Sequence, residues 1–395
     1  MPEFRPVPDA DVDEFQALVS YAFRPEAGPR GPDEETPEPW KLGRRYGLYD
    51  GEELLTACKL ISFRPRVRGD YHDLDGLSAV ASPPEIRRQG YVRELLAGSL
   101  EESRSNGVYL SALWPFKRSF YARYGWATAS RGVRHEVDPD ELAFARDHRR
   151  GEFVALEADD WERLDDVHDA HGAPYELTMD RTEEWWRNRV FTGWESDPFA
   201  YGLERDGDLA AYVTYVVDDG EDGKVLQVHD MAAVDHDARL ALLRFFADHD
   251  TQVEAVRFWT PADDDLLDVI PNADEVDATM QVGPMFRLVD VPDALEALSY
   301  PADAEASLTL NVSDPLADWN DDAFRLSVAD GAASVERVDD APAVDLGVGA
   351  LSQLYVGYRS ASDLERTGDL AADADAVDAL EAVFPERETL LREGF

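Results

Sequence analysis

A chain of 395 residues is too long for one hydrophobic core, and at roughly 150 residues per domain it holds two or three. Its hydrophobic share of 44% is that of a folded protein, and its formal charge of -45, from 83 acidic against 38 basic residues, excludes the broad basic face of a nucleic-acid binder. A single cysteine, Cys58, excludes a disulfide framework and a cysteine-rich metal site, and the eight histidines show no H-E-x-x-H spacing, so no metal is expected.

The acids are spread along the whole chain, and lysine occurs only at Lys41, Lys59, Lys117 and Lys224. In molar salt the Debye length falls to about 3 Å, which screens the self-repulsion while hydrated carboxylates keep the protein dispersed. This pattern predicts a salt-adapted, haloarchaeal protein. MPEFRPVPDADVDEF lacks a basic-then-apolar leader, and no apolar run reaches the ~18 residues of a membrane span. A cytoplasmic location and no membrane partner are therefore expected.

In chain order, DADVDEFQALVSYAF predicts a capped amphipathic helix with Phe15, Leu18, Val19 and Ala22 on one face. Residues 25–39, rich in proline and acids, read as a loop. YGLYDGEELLTACKLISF predicts a hairpin turning at a DG dipeptide, LDGLSAVA a strand, YVRELLAGSLEESRSNG a helix closed by Gly107, and VYLSALWP a further strand. EADDWERLDDVHDAH and RTEEWWRNRVF predict two more helices. A second hairpin with its following strand spans LAAYVTYVVDDGEDGKVLQVHDMAAV; DHDARLALLRFFADHD predicts a helix and VEAVRFWTP a strand. The order of elements in the first stretch thus repeats in the second. The third stretch opens with the helix VPDALEAL, runs through a DG-turned strand pair in FRLSVADGAASVERV, and reaches the helix DADAVDALEAVF before ending at LLREGF.

One segment stands out against the acidic background. VASPPEIRRQGYVRELL places Arg87, Arg88 and Arg93 around Gly90, between a strand end and a helix start. Unpaired N–H groups at a helix N-terminus attract anions, glycine permits close approach, and guanidinium groups add charge-assisted hydrogen bonds. R-x-x-G alone also occurs at ordinary solvated helix starts; the contrast with the acidic background points to an anionic ligand. In the repeated copy, MAAVDHDARLALLRFF, the strand-to-helix loop is shorter and has lost the arginines and the glycine. Further on, FYARYGW gathers Phe120, Tyr121, Arg123, Tyr124 and Trp126. Such a run is usually an aromatic packing patch, but a tyrosine holds its proton at pH 7, so Tyr121 suits a general acid.

A strand, an R-x-x-G helix start, a further strand and FYARYGW in that order resemble the GNAT acetyltransferases, and the full length is similar to their Eis branch (enhanced intracellular survival). The resemblance extends to VPDALEALSY, LYVGYRSASDL and an aromatic last residue, Phe395. It implies an α/β (α+β) chain of tandem GNAT-like domains, each with a mixed central sheet flanked by helices, followed by a sterol-carrier-protein-like domain. The expected boundaries are 1–140 for the acetyltransferase domain, 141–285 for its degenerate copy and 286–395 for the sterol-carrier-like domain. It implies an acetyl-CoA-dependent N-acetyltransferase acting by direct transfer on a small-molecule or peptide amine, and a homo-oligomer, a hexamer in relatives.

Residue by residue, the resemblance implies that Ala79, Val80 and Ser82 run beside the pantetheine arm of acetyl-CoA. Arg87, Arg88 and Gly90, with the N–H groups of Tyr91 and Val92, would hold the pyrophosphate, and Arg93 would reach an outer phosphate. Tyr121 matches the acid that protonates the leaving thiolate, and the terminal carboxylate of Phe395 matches the base. A free α-carboxyl has a reference pKa of ~3.5, so it needs desolvation to serve as a base. Trp114, Pro115 and Phe116 stand where relatives carry smaller or polar residues, Gly394 replaces an acid, and Asp33, Glu34, Glu35 and Trp40 are offered by the loop instead. The alternative is a non-catalytic acyl-CoA- or lipid-binding scaffold, which has no use for Tyr121 or an aromatic terminus.

Overall fold

The computed structural model describes residues 2–31, 36–194, 196–221 and 223–395. They gather into two compact units that do not follow chain order: Met1–Thr36, Leu42–Ser130 and Gly283–Phe395 form the first, Pro37–Lys41 and Arg131–Val282 the second. Residues 283–395 thus share a unit with most of residues 1–130, while 131–282 form the other.

The first unit has a seven-stranded sheet in the order Glu3–Pro6, Arg44–Asp50, Glu53–Phe63, Leu74–Ala81, Leu110–Leu113, Met285–Leu288, Ala127–Thr128. Strand Met285–Leu288 is buried at every position, as a strand covered on both faces must be, and it pairs antiparallel with both of its neighbours. Helix Val12–Phe23 forms where its apolar spacing places it and buries Phe15 and Val19, although no side chain caps its start; the preceding turn Asp9–Asp11 performs that role with backbone alone. The hairpin over Arg44–Asp50 and Glu53–Phe63 turns at Gly51, whose φ of 63° is the left-handed value a tight turn requires. The unit also holds a five-stranded sheet, ordered Ala332–Arg337, Asp322–Ala329, Ala306–Ser313, Val344–Gly347, Leu370–Ala372. Its DG turn places Asp330 and Gly331 at φ of 52° and 80°, the pattern of a two-residue hairpin loop.

The second unit repeats the first sheet's plan. Lys224–Ala233 runs parallel to Ala255–Pro261, joined by helix His236–Ala247, as Leu74–Ala81 runs parallel to Leu110–Leu113 through helix Tyr91–Ser105. Both preceding strands carry a register irregularity, between Ala57 and Lys59 in one and Thr214 and Tyr215 in the other. RTEEWWRNRVF is helical as its sequence predicts: the α-helical turn Glu183–Trp185, capped by Thr182, widens into a π-helix over Trp186–Val190. Among the described residues no helix is long and apolar enough to cross a membrane.

Candidate active site

The site begins where two parallel strands part. Leu74–Ala81 pairs with Leu110–Leu113 only at Leu74↔Leu110, Asp75↔Ser111 and Gly76↔Ala112. Beyond Gly76 that edge is released from the ladder, leaving backbone groups that need other partners. On the opposite edge, Ala79 and Val80 stand against Cys58 alone, between the pairs Lys59↔Ser78 and Ala57↔Ala81. This two-against-one arrangement is a β-bulge, and it holds Ala79 at φ 54°, a left-handed conformation that costs a non-glycine residue about 1–2 kcal/mol. The sequence carries no sign of it, since Ala favours no bulge. Asp75, wholly buried beside the split, is engaged by Arg44 and Ser103 at 2.7 Å each and so serves the scaffold.

After Ser82 the chain turns through Pro84–Ile86, and Arg88 and Gly90 adopt φ of 65° and 96° before helix Tyr91–Ser105 starts. Gly90 is the N-cap; its carbonyl takes the N–H groups of Arg93 and Glu94, while those of Tyr91 and Val92 lie in the first turn and have no intrahelical acceptor. A Cβ on Gly90 would meet nothing within 4 Å, so glycine is demanded by φ and the space over the helix end is open. Arg87 donates from Nε to the Ser82 carbonyl at 3.2 Å, which braces the loop. Arg93 instead donates to the Pro315 carbonyl at 3.3 Å, tying the helix to the C-terminal segment where the sequence suggested an outer phosphate.

The corresponding helix of the second unit starts differently. Asp235 caps His236–Ala247 by accepting from Ala238 N–H at 2.8 Å, and Arg205 pairs with that carboxylate at 2.7 and 3.2 Å. The Arg205 hydrogen bond holds the Asp235 carboxyl below its ordinary pKa, so a fixed negative charge stands where a phosphate would need N–H groups.

Tyr121 sits in the short helix Arg118–Ala122, only 3% exposed, with the rings of Phe120, Phe116 and Trp126 at 5.1, 5.6 and 6.2 Å. It shares its core cluster with Leu77, Leu113 and Cys58, which line the split and its bulge. Burial, with a smaller effect from Cys58, pushes the phenol well above its ordinary pKa and keeps it neutral. Burial likewise raises the Cys58 thiol, so it is not an activated nucleophile.

A buried cation that sequence reading missed holds the tyrosine loop. Arg287, on the otherwise apolar strand MFRL, is wholly buried and pairs with the equally buried Asp314. Its guanidinium also donates to the Tyr124 carbonyl, donates to Leu288 O at 3.1 Å and lies 4.9 Å from the Trp126 ring centroid. Asp314 completes its shell with the N–H groups of Leu316 and Ala317 at 3.0 Å each and with Asn320 at 3.1 Å. Gly125 (φ 89°) leaves no room for a Cβ, which would fall 2.5 Å from Val348 and 3.0 Å from Arg287. A lone arginine in a four-residue apolar strand was the available signal.

The end of the chain reaches the same split. Leu390 and Leu391 are buried, Ser130 Oγ donates to Thr389 O and accepts from Leu391 N–H at 3.3 Å each, and the Trp114 indole donates to Glu393 O at 2.7 Å. The Phe395 ring packs 4.8 Å from that of Phe63 and lies over Gly76, the last residue paired before the strands separate. Asp33, Glu34 and Glu35 lie outside the described residues. Trp40 belongs to the second unit, edge-on to Trp194 at 6.2 Å. A cleft lined by Glu101, Arg104, Asp290, Trp319 and Arg337 lies at the other end of helix Tyr91–Ser105. Its guanidinium groups already pair with Asp290 and Asp322 at 2.6 and 2.7 Å. No group of metal-binding side chains occurs among the described residues.

Comparison with known proteins gives matches over most of the chain. Residues 3–129 and 177–288 match models of the acetyltransferase (GNAT) domain, and residues 291–392 match the sterol carrier protein domain. An uncharacterized N-acetyltransferase of Streptomyces griseus is 30% identical over 77% of this chain and 78% of its own length. N-acetyltransferase Eis of Mycobacterium tuberculosis is 28% identical over 86% of this chain and 85% of its own. The crystal structure of a GCN5-related N-acetyltransferase from Anabaena variabilis shares the fold over 100% of both chains, with a TM-score of 0.85 at 20% identity.

Proposed function

Because the chain belongs to the GNAT N-acetyltransferases in their Eis branch, an enzyme family that draws its acetyl group from acetyl-CoA, we propose that Tyr121 and the Phe395 carboxylate carry its proton transfers. The observation behind this reading is the seat of Phe395 at Gly76, beside the opening that a pantetheine arm needs. On this reading residues 1–140 carry the catalytic groups, 141–285 the copy that lost its anion cradle, and 286–395 the sterol-carrier-like domain that lends its last residue.

Ala79, Val80 and Ser82 offer backbone partners to the amides of the pantetheine arm, since the bulge and the split free that stretch from full pairing. The open helix start at Gly90, with Tyr91 and Val92 N–H and the Arg87 and Arg88 guanidinium groups, fits a diphosphate. A primary amine attacks the thioester carbonyl directly; the Phe395 carboxylate takes the amine proton, directly or through one water, and the C–S bond breaks as Tyr121 gives its proton to the departing sulfur. A phenol of raised pKa is a reluctant acid, but a thiolate leaving into the same apolar cluster is desolvated too and becomes a stronger base. Extending the chain by Gly-Ser after Phe395 moves the carboxylate away. Turnover should fall at least about 100-fold with acetyl-CoA affinity unchanged; an extended enzyme with full turnover would remove the carboxylate from the mechanism.

The same reading carries a cytoplasmic homo-oligomer, a hexamer in its relatives, adapted to molar salt. The distributed charge of -45 supports the last point. Thermal melting in 0.15–2 M KCl, a range over which the Debye length shrinks from about 8 to 2–3 Å, should show Tm rising steadily. A Tm that is flat or falling would place the acidity outside salt adaptation.

A further inference from the structure

We infer that Trp114 is a positioning residue that seats the chain terminus across the split, with Gly76 and Phe63 as the recess for the last ring. This rests on the reading of the Phe395 carboxylate as the base. Trp114 is the first residue after strand Leu110–Leu113, and Pro115 behind it favours extended backbone there. Its indole N–H reaches the Glu393 carbonyl at 2.7 Å. Two residues later the Phe395 ring rests on the other wall, at Gly76 of Leu74–Ala81, where a Cβ would come within 2.8 Å of it and 2.6 Å of the Phe63 ring. The tail therefore crosses from one strand to the other at the point where they part. Two residues of chain span at most ~7 Å, so fixing Glu393 fixes where the carboxylate can go.

Further back, Ser130 also holds the tail, at Thr389 and Leu391. Losing the indole bond to Glu393 shifts the balance between a seated and an unseated end of the tail. A single well-formed hydrogen bond shifts such an equilibrium by roughly five- to tenfold. Trp114 is 36% exposed, so its replacement by Phe removes the donor while keeping a ring and leaving the core untouched.

Carboxypeptidase A, which removes aromatic C-terminal residues, reports on the seat without any acceptor amine. In full-length Trp114→Phe, Phe395 should be released about five- to tenfold faster than in the parent enzyme. Tm and acetyl-CoA affinity should stay unchanged, and kcat should fall by a similar factor while KM for acetyl-CoA holds. Turnover is read with the fastest acceptor among spermidine, tryptamine and a lysine-containing peptide. Gly76→Ala, which crowds the ring from the opposite wall, should also speed release and serves if Trp114→Phe folds poorly. Unchanged release in both variants overturns the clamp. Faster release with unchanged kcat overturns the positioning role, and the Gly-Ser extension then decides separately whether the carboxylate acts at all.

Discussion

Tyr121→Phe should lower kcat by about 100- to 1000-fold and leave the dissociation constant for acetyl-CoA within about twofold. The ring would still fill its place among Phe116, Phe120 and Trp126, so only the proton is lost. Burial raises the phenol's pKa, so the folded enzyme keeps Tyr121 protonated past pH 10 and its kcat should show no alkaline decline from this group below that value. Arg88→Glu should do the opposite: acetyl-CoA binding should weaken about 10- to 100-fold, as expected for losing a charge-assisted contact and adding a repulsive charge, with a much smaller change in the rate of the bound complex. Calorimetric titration and single-turnover kinetics separate the two effects. A Tyr121→Phe enzyme with near-normal kcat would exclude the phenol as the acid.

Arg287→Met should cost the first unit about 3–5 kcal/mol, because it strands the wholly buried Asp314 without its counter-charge. For a unit of this size that lowers Tm by roughly 6–20 °C, measurable by differential scanning calorimetry. The same change removes the donor to Tyr124 O, so the loop carrying Tyr121 should loosen and kcat should fall with stability. Arg287→Met combined with Asp314→Leu should recover much of the loss, since two apolar groups need no pairing. A single variant that melts within about 2 °C of the parent would show that the pair is not a support of this loop.

The local elements were legible because their causes are local. The DG dipeptide at Asp330 and Gly331 can adopt the two left-handed conformations that a tight hairpin needs, wherever it lies in a chain. Asp235, Asp290 and Asp373 each precede an apolar helical run, and each caps its helix by accepting an N–H three residues on. The anion cradle was legible for a similar reason: a glycine at a helix start among arginines is a local pattern, and its loss in MAAVDHDARLALLRFF marked the second copy. Tyr121 was located through a resemblance of motif, since aromatic runs by themselves usually signal packing.

What the tertiary structure alone decided involves residues far apart in the chain. Strand Met285–Leu288 enters the first sheet more than a hundred residues after Leu110–Leu113, and four residues are too few to show a period. The bulge at Ala79 arises from how its strand meets the neighbour carrying Cys58, and nothing in alanine announces φ of 54°. Arg287 is a lone charge in an apolar strand, but nothing near it names Asp314; only folding removes both from water and makes them a pair. The tail's length and apolar character come from the sequence, whereas its seat across Trp114, Phe63 and Gly76 depends on two strands that separate after three paired positions. Short-range chemistry is encoded residue by residue, while the site itself is made by long-range pairing, whose partners leave no mark on their own neighbours.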